Sequence, residues 1–91
     1  MRVTWDPAKA AENLRVHGVR FAEAGEVLRD PLALTREDLR QDEQRFVTLG
    51  ATRTGTLLVV VYAYEGDEDI GLISAREASR AERRRYADEP R

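Results

Sequence analysis

The sequence predicts a small α+β domain with an N-terminal strand and two helices, an antiparallel sheet and a C-terminal helix. Three observations predict this fold: a helix-start signal near the N-terminus, several β-type segments in the second half, and a length of 91 residues. A chain this short buries about two-thirds of its unfolded surface, so one core must hold residues 1–91 together as a single domain. Short antiparallel strands that follow two helices are typical of helices packed on one face of a sheet.

The first helix has a clear start and end in the sequence. A short β-type run over residues 2–5 precedes Asp6 and Pro7, where Asp6 suits the cap and Pro7 the first helical position. The helix is expected to end at His17, because Gly18 suits the left-handed residue that follows a helix. The helical spacing then predicts a buried row of Ala10, Ala11 and Leu14, and a solvated polar row of Lys9, Asn13 and His17.

The remaining segments predict a second helix, the strands of a sheet and a third helix. The second helix spans residues 21–29 and ends at Asp30-Pro31. Residues 57–64 are apolar on both faces, which is typical of a central strand covered on both sides. The other predicted strands are residues 32–35, 44–51 and 70–75, with links at 36–42, 52–55 and 65–69, and a C-terminal helix at 76–87.

The composition excludes several classes of protein. The chain has no cysteine, so neither a disulfide scaffold nor a zinc finger is expected. The longest apolar run is eight residues, whereas a helix needs roughly 20 to cross a bilayer. The N-terminus carries no apolar segment of the kind found in signal peptides. We therefore expect a cytoplasmic protein with no membrane association.

The charge is nearly balanced, but the basic residues are of one kind. The net charge is −2, so the field of the whole molecule does not attract nucleic acid. Lys9 is the only lysine among 15 basic residues, and arginine can hold two phosphate oxygens at once. Four arginines fall within an arc of about 100° on the predicted C-terminal helix, namely Arg76, Arg80, Arg83 and Arg84. A solvated face with Glu77 and Glu82 as ion-pair partners explains this stripe equally well.

Candidate residues for chemistry are few, and all but Arg76 have a plainer explanation. No phosphate-binding loop, serine or cysteine nucleophile motif or metal-binding motif is present, so an enzyme here would work by acid–base catalysis and charge stabilisation. Histidine ionises near neutral pH, but His17 also suits the end of a helix. Glu43 and Arg45 share one strand face, as surface ion pairs often do. Arg76 lies between an apolar strand and a helix, where packing does not explain a charge.

Several motifs in the chain resemble those of the BrnT family of toxins. The segment W-D-P-x-K-x-x-x-N-x-x-x-H-G-V-x-F spans Trp5 to Phe21, and Asp30-Pro31 follows it. The run E-x-R-F-V-x-L-G covers Glu43 to Gly50, and I-S-A-R-E-A-S-R-x-E-R-R-R-Y covers Ile73 to Tyr86. The resemblance implies a RelE-like ribonuclease fold and the toxin half of a bacterial type II toxin–antitoxin pair.

The resemblance also implies roles for residues and partners. RNA is cleaved without metal or cofactor when its own 2′-hydroxyl attacks the adjacent phosphorus, which requires a base, an acid and cations. Arg45 and Arg76 are the expected phosphate clamps, with Glu43 or His17 as base and His17, Lys9 or Tyr86 as acid. Arg80, Arg83 and Arg84 are expected to bind RNA. The implied partner is a BrnA-like ribbon-helix-helix antitoxin, which would form a heterotetramer and bring the toxin to operator DNA.

The chain departs from the family pattern at two positions. Val16 stands where a basic residue usually precedes the histidine, and Gly71 stands where the last strand often carries an arginine. Both departures remove positive charge from the expected RNA-facing side. They favour an alternative function, that of a degenerate, non-catalytic module which binds its partner and assists repression. A purely structural interaction domain is a third interpretation.

Overall fold

The computed structural model describes residues 1–39 and 43–90 of the chain. Along these residues the elements are β1 (Arg2–Thr4), α1 (Pro7–His17), α2 (Phe21–Val27), β2 (Leu34–Asp38), β3 (Arg45–Ala51), β4 (Leu57–Glu65), β5 (Asp69–Glu77) and α3 (Arg80–Asp88). The strands form one sheet in the order β1-β5-β4-β3-β2. The predicted α+β class is confirmed.

The sheet is mixed because β1 runs parallel to β5. Strands β2 to β5 pair antiparallel, as predicted, through successive short connections. Thr4 lies opposite Gly71 in the parallel pair, and Arg2 donates a 2.8 Å hydrogen bond to Asp69 at its other end. A hairpin connection forces an antiparallel pair, whereas most of the chain separates β1 from β5 and leaves either direction open.

Helices cover both faces of the sheet. On the first face, α1 and α2 pack against alternate residues of β4, with Phe21 and Val27 buried against Leu58 and Val60. On the second face, Ala78 and Tyr86 pack with Val59 and its neighbours Val47 and Leu49. The central position of β4 is therefore confirmed. The expectation that all helices share one face is wrong for α3, because β4 has apolar side chains on both faces and each needs cover.

The ends of α1 are as predicted, but its buried face is not. Asp6 Oδ1 accepts a 2.9 Å hydrogen bond from the backbone N–H of Ala8, and Gly18 has a φ of 71°. Inside the helix, Asn13 is buried, whereas Leu14 is 36% exposed. The predicted solvated row of Lys9, Asn13 and His17 is thus wrong at its middle member.

Asn13 is buried because its carboxamide continues the sheet beyond the end of β1. Ala75 of β5 donates its N–H to Asn13 Oδ1 at 3.0 Å and accepts from Asn13 Nδ2 at 2.8 Å. Asn13 Nδ2 also donates to the carbonyl of Val19 at 3.0 Å. An unpaired, buried backbone group is costly, so this contact holds α1 against the edge of β5.

Three predicted boundaries differ because local hydrogen bonds extend turns. The second helix ends at Val27 instead of residue 29. The backbone N–H groups of Leu28, Arg29 and Asp30 donate to carbonyls three residues earlier, which is the pattern of turns and not of an α-helix. Asp30 Oδ1 then accepts a hydrogen bond from the backbone N–H of Leu32, and strand β2 begins at Leu34 instead of residue 32. Residues 36–38 of the expected 36–42 link belong to this strand. Residues 40–42 of that link lie outside the described residues.

The predicted start of the C-terminal helix at Arg76 is wrong. Strand β5 continues to Glu77, and α3 begins after Ser79, which caps it. Ser79 Oγ accepts from the N–H of Glu82 at 3.2 Å, and Glu82 Oε1 accepts from the N–H of Ser79 at 2.8 Å. This reciprocal capping box fixes the helix start, so Arg76 is a strand residue and the stripe of four arginines on one helix does not exist.

Candidate active site

A cleft of about 530 Å³ opens where β1 ends, α1 begins, and β4 and β5 join. We call it the main cleft; among its lining residues are Lys9, Glu43, Glu65, Asp6, Trp5 and Tyr64. Lys9 enters from the first turns of α1, and Glu43 directly precedes β3. Its described lining therefore combines one lysine with three carboxylates, and the two candidate residues Lys9 and Glu43 share it.

Arg45 contacts the main cleft through Glu43. Its Nε donates to Glu43 Oε1 at 3.3 Å, so the ion pair expected from their spacing is present. The side chains are 31% and 63% exposed, and an ion pair in water of this kind contributes about 0–1 kcal/mol. Arg45 can therefore exchange the carboxylate for a phosphate at little cost.

Glu65 occupies the space beside Gly71. A Cβ on Gly71 would lie 2.7 Å from the carboxyl carbon of Glu65, which covers the glycine. Glu65 Oε1 is held there by a 3.0 Å hydrogen bond from Thr4 Oγ1. This wall of the cleft thus presents a carboxylate.

Lys9 and His17 also line a second groove, of about 400 Å³, over the edge of β5. Val16, Ile73 and Ser74 contribute to the same groove. Eight residues separate Lys9 from His17, which corresponds to about 12 Å along the helix axis. His17 lines the groove and is not among the residues described around the main cleft, whereas Lys9 and Ile73 line both.

Arg76 lies at the other end of the second face, held by Glu82. Its Nη1 donates to Glu82 Oε1 at 2.8 Å and its Nη2 to Glu82 Oε2 at 2.9 Å. In the strand register, Arg76 of β5 lies opposite Val59 of β4. Arg45 of β3 lies on the other side of β4, one residue beyond the pair of Phe46 with Tyr62 and thus level with Ala63. Two strands and four residues along them separate the two arginines, or about 17 Å between Cα atoms. The two predicted clamps are not brought to one point.

The hydrogen bonds from Arg76 lower the pKa of Glu82 from 4.5 to about 2, and those from Ser79 add to the effect. The same ion pair raises the pKa of Arg76. Because the folded-state pKa of Glu82 is lowered, its contribution to stability is full above pH 4.5 and is lost as the pH falls toward 2. Both groups are therefore charged at any physiological pH.

We expect Glu82→Gln to lower the free energy of unfolding by about 1 kcal/mol at pH 7, a modest value because water screens the partly exposed pair. The difference from the unsubstituted protein should shrink as the pH is lowered from 4.5 to 2.5. Urea denaturation at pH 7, 4.5, 3.5 and 2.5 measures it. Glu26→Gln, which removes another arginine-paired carboxylate, is the control. A Glu82→Gln difference that stays constant down to pH 2.5 would contradict the assignment.

Tyr86 and the arginines of α3 lie outside the main cleft. The Tyr86 hydroxyl donates to Asp30 Oδ2 at 2.5 Å, and its ring packs on the second face. Arg80, Arg83 and Arg84 are exposed, and Arg83 Nη2 lies 3.8 Å from Glu77 Oε1. The exposure of these three arginines agrees equally with a solvated helix face and with a role in binding phosphate.

Sequence reasoning missed several residues around these sites. Glu65, Trp5 and Tyr64 line the main cleft; Trp5 belongs to the W-D-P motif, whereas no motif marks Glu65 or Tyr64. The S-x-x-E pattern from Ser79 signals a capping box, which gives Glu82 a second role beside that of a surface ion-pair partner. Within residues 1–39 and 43–90, no group of three or more His, Asp or Glu side chains is placed to hold a metal ion. Every helix in these ranges is too short or too polar to span a bilayer.

Comparison with known proteins identifies the family. A family model described as the ribonuclease toxin BrnT of type II toxin–antitoxin systems matches residues 5–82. The chain belongs to the BrnT family. Its matched region includes Lys9, His17, Glu43, Arg45 and Arg76, whereas Arg83, Arg84 and Tyr86 lie beyond it.

A solved structure supports the same fold. The 1.1 Å crystal structure of the Brucella abortus ribonuclease toxin BrnT superposes with a TM-score of 0.67 at 24% sequence identity. The match covers 88% of this chain and 99% of the Brucella chain. The curated proteins that were compared gave no significant match. The fold of this BrnT-family chain is thus shared along nearly the full length of the Brucella toxin.

Proposed function

We propose that this BrnT-family protein is a cytoplasmic endoribonuclease that cleaves RNA without a metal ion. The observation that carries the proposal is that Lys9 and Glu43 share the main cleft, with Arg45 paired to Glu43. A carboxylate, an ammonium and a guanidinium together supply a base, a proton donor and a cation for a phosphoryl group. Membership in a family of ribonuclease toxins supports the reaction class.

In the proposed reaction, the 2′-oxygen of RNA attacks the adjacent phosphorus. Glu43 takes the 2′-hydroxyl proton, the bond from phosphorus to the 5′-oxygen breaks, and Lys9 protonates the leaving 5′-oxygen. The products are a 2′,3′-cyclic phosphate and a 5′-hydroxyl. Arg45 holds the phosphoryl oxygens while negative charge develops on them. His17, about 12 Å along the helix from Lys9, contacts a neighbouring nucleotide instead.

Arg76 has a separate role in this proposal. Because it lies about 17 Å from Arg45 by the strand spacing, it binds a different phosphate of the same RNA. Tyr86 takes no part in the proton transfers, since its hydroxyl donates to Asp30. Arg80, Arg83 and Arg84 extend the contact with the RNA backbone along α3.

Cleavage is expected to persist in EDTA, because the proposed reaction uses only protein side chains and the RNA hydroxyl. Purified protein is incubated with a labelled RNA in excess EDTA, beside a 2′-O-methyl RNA that lacks the attacking hydroxyl. We expect 2′,3′-cyclic phosphate ends from the first RNA and no cleavage of the second. Strict dependence on magnesium or manganese, or cleavage of the methylated RNA, would overturn the mechanism.

One observation favours a second candidate function. Among the described residues, 1–39 and 43–90, the main cleft is lined by three carboxylates, those of Asp6, Glu43 and Glu65, against one lysine, Lys9. Such a balance opposes the binding of phosphate and suits a non-catalytic module that only engages the antitoxin. The absence of cleavage by a folded, antitoxin-free protein would support this candidate.

The proposed partner is a ribbon-helix-helix antitoxin with an acidic or amphipathic segment, because burial of arginines without countercharges costs several kcal/mol per ion. Such antitoxins bind DNA as dimers, so two toxins per antitoxin dimer is the simplest symmetric assembly. Light scattering of the co-expressed pair is expected to give a heterotetramer, and operator DNA is expected to bind the complex and not the toxin alone. A stable one-to-one heterodimer at micromolar concentration would contradict this expectation.

A further inference from the structure

The hydrogen bonds of Arg76 use three of its five N–H groups. Nη1 donates to Glu82 Oε1 at 2.8 Å and to the backbone carbonyl of Glu77 at 3.3 Å, and Nη2 donates to Glu82 Oε2 at 2.9 Å. Within the described part of the chain, this leaves the Nε–H and one Nη2–H. These two groups lie side by side on one edge of the planar guanidinium, which is the spacing that matches two oxygens of a phosphate.

The first turn of α3 holds the carboxylate that orients Arg76. Glu82 Oε1 also accepts from the backbone N–H of Ser79 at 2.8 Å, and the Glu82 side chain is 25% exposed. The capping box thus fixes Glu82 on the helix, and Glu82 fixes the guanidinium in turn. A long, flexible side chain is in this way restrained before any ligand binds.

The surroundings of this free edge are basic. Arg36 of β2 and Arg85 of α3 line the same small cavity, of about 60 Å³, as Arg76 and Glu82. In the part of the chain that the structure describes, three guanidinium groups against one carboxylate line this cavity, a local excess of positive charge, although the whole chain carries a net charge of −2. A phosphate is therefore attracted to this spot even though the protein as a whole repels polyanions.

We propose that Glu82 is a positioning residue, which holds Arg76 so that its Nε and Nη2 edge faces a backbone phosphate of bound RNA. The inference rests on the proposed ribonuclease function and extends it. In this arrangement Glu82 does not compete with the phosphate, because the carboxylate and the phosphate use different edges of the guanidinium. The contrary role, in which Glu82 masks Arg76 and weakens RNA binding, predicts the opposite effect of removing the carboxylate.

The experiment compares kcat and KM for RNA cleavage, and Kd for a 2′-O-methyl RNA, among four variants. Glu82→Gln keeps the shape of the side chain but loses one acceptor for the guanidinium. Arg76→Lys keeps the charge and lacks the two-donor edge, and the third variant combines both changes. Glu26→Gln is the matched control, because Glu26 is also arginine-paired, accepts a backbone N–H and has 30% exposure.

If Glu82 positions Arg76, Glu82→Gln should raise KM and Kd about tenfold and leave kcat within twofold of the value for the unsubstituted protein. Glu26→Gln should change none of these quantities. In the Arg76→Lys background, Glu82→Gln should change Kd by less than twofold, because the oriented edge is already absent. A purely structural role would lower the melting temperature and leave Kd unchanged at 20 °C, which would overturn the proposal.

Two other results are decisive. Tighter RNA binding by Glu82→Gln would show that Glu82 masks Arg76 from RNA and would overturn the proposal that it positions Arg76. If the unsubstituted protein does not cleave RNA, the proposed ribonuclease function fails, while the Kd values for the methylated RNA still test Glu82 separately. A protein that neither cleaves nor binds RNA would overturn both.

Discussion

Arg76→Ala is expected to lower kcat/KM for RNA by about 10- to 100-fold while the protein stays folded. The substitution removes a two-donor, charged contact with phosphate, and hydrogen bonds to charged groups contribute about 1.5–3 kcal/mol. Arg76 is 46% exposed at the end of β5, so its loss leaves no large cavity. Cleavage kinetics and a thermal melt of the same preparation measure the two parts of the prediction.

Arg53→Ala provides the control for this loss of charge. Arg53 is 85% exposed, pairs with Glu26 across 3.6 Å, and lies in the turn between β3 and β4. Its removal changes the net charge by the same amount and should leave kcat/KM within about twofold. A folded Arg76→Ala protein with full activity would show that Arg76 does not bind substrate.

Asn13→Ala is expected to have the largest effect on stability, a loss of about 2–4 kcal/mol in the free energy of unfolding. The substitution removes three buried hydrogen bonds, two with Ala75 and one with Val19. It also leaves the edge of β5 unpaired beyond the end of β1. Urea denaturation, with the slope compared between variants, measures the change.

Leu14→Ala is the informative partner of Asn13→Ala. The sequence pattern places Leu14 in the core and Asn13 in water, whereas Leu14 is 36% exposed and Asn13 is 5% exposed. We expect Leu14→Ala to cost about 1 kcal/mol, less than Asn13→Ala, since more than a third of Leu14 is already exposed to water. A larger loss for Leu14→Ala than for Asn13→Ala would mean that α1 is rotated relative to the structure described.

Asn13 and Leu14 mark the limit of what local sequence patterns predict about this fold. Local signals were sufficient for the ends of α1, where Asp6 and Gly18 act within one turn of the helix. The apolar run of β4 was likewise sufficient for a strand covered on both faces. The burial of Asn13 depends on Ala75, which is 62 residues away, and no local pattern encodes that contact.

The candidate site was predictable only where its members are neighbours in sequence. The Glu43–Arg45 pair follows from their spacing on a strand, and the structure contains it. The convergence of Lys9 with Glu43 requires α1 and β3 to meet at one end of the sheet, which periodicity does not determine. The apolar pattern of β5 ends at residue 75 and so predicts a helix from Arg76, whereas backbone pairing with β4 continues through Glu77.

Inducible expression in a bacterium without the antitoxin is the most direct test of the central claim, that this BrnT-family protein is a ribonuclease toxin. Growth and the integrity of total RNA are followed after induction of the unsubstituted protein and of Arg76→Ala at equal protein levels. We expect the unsubstituted protein to arrest growth and fragment total RNA, and the variant to allow growth and to fragment RNA far more slowly. Unchanged growth with intact RNA, at a confirmed level of folded protein, would contradict the account.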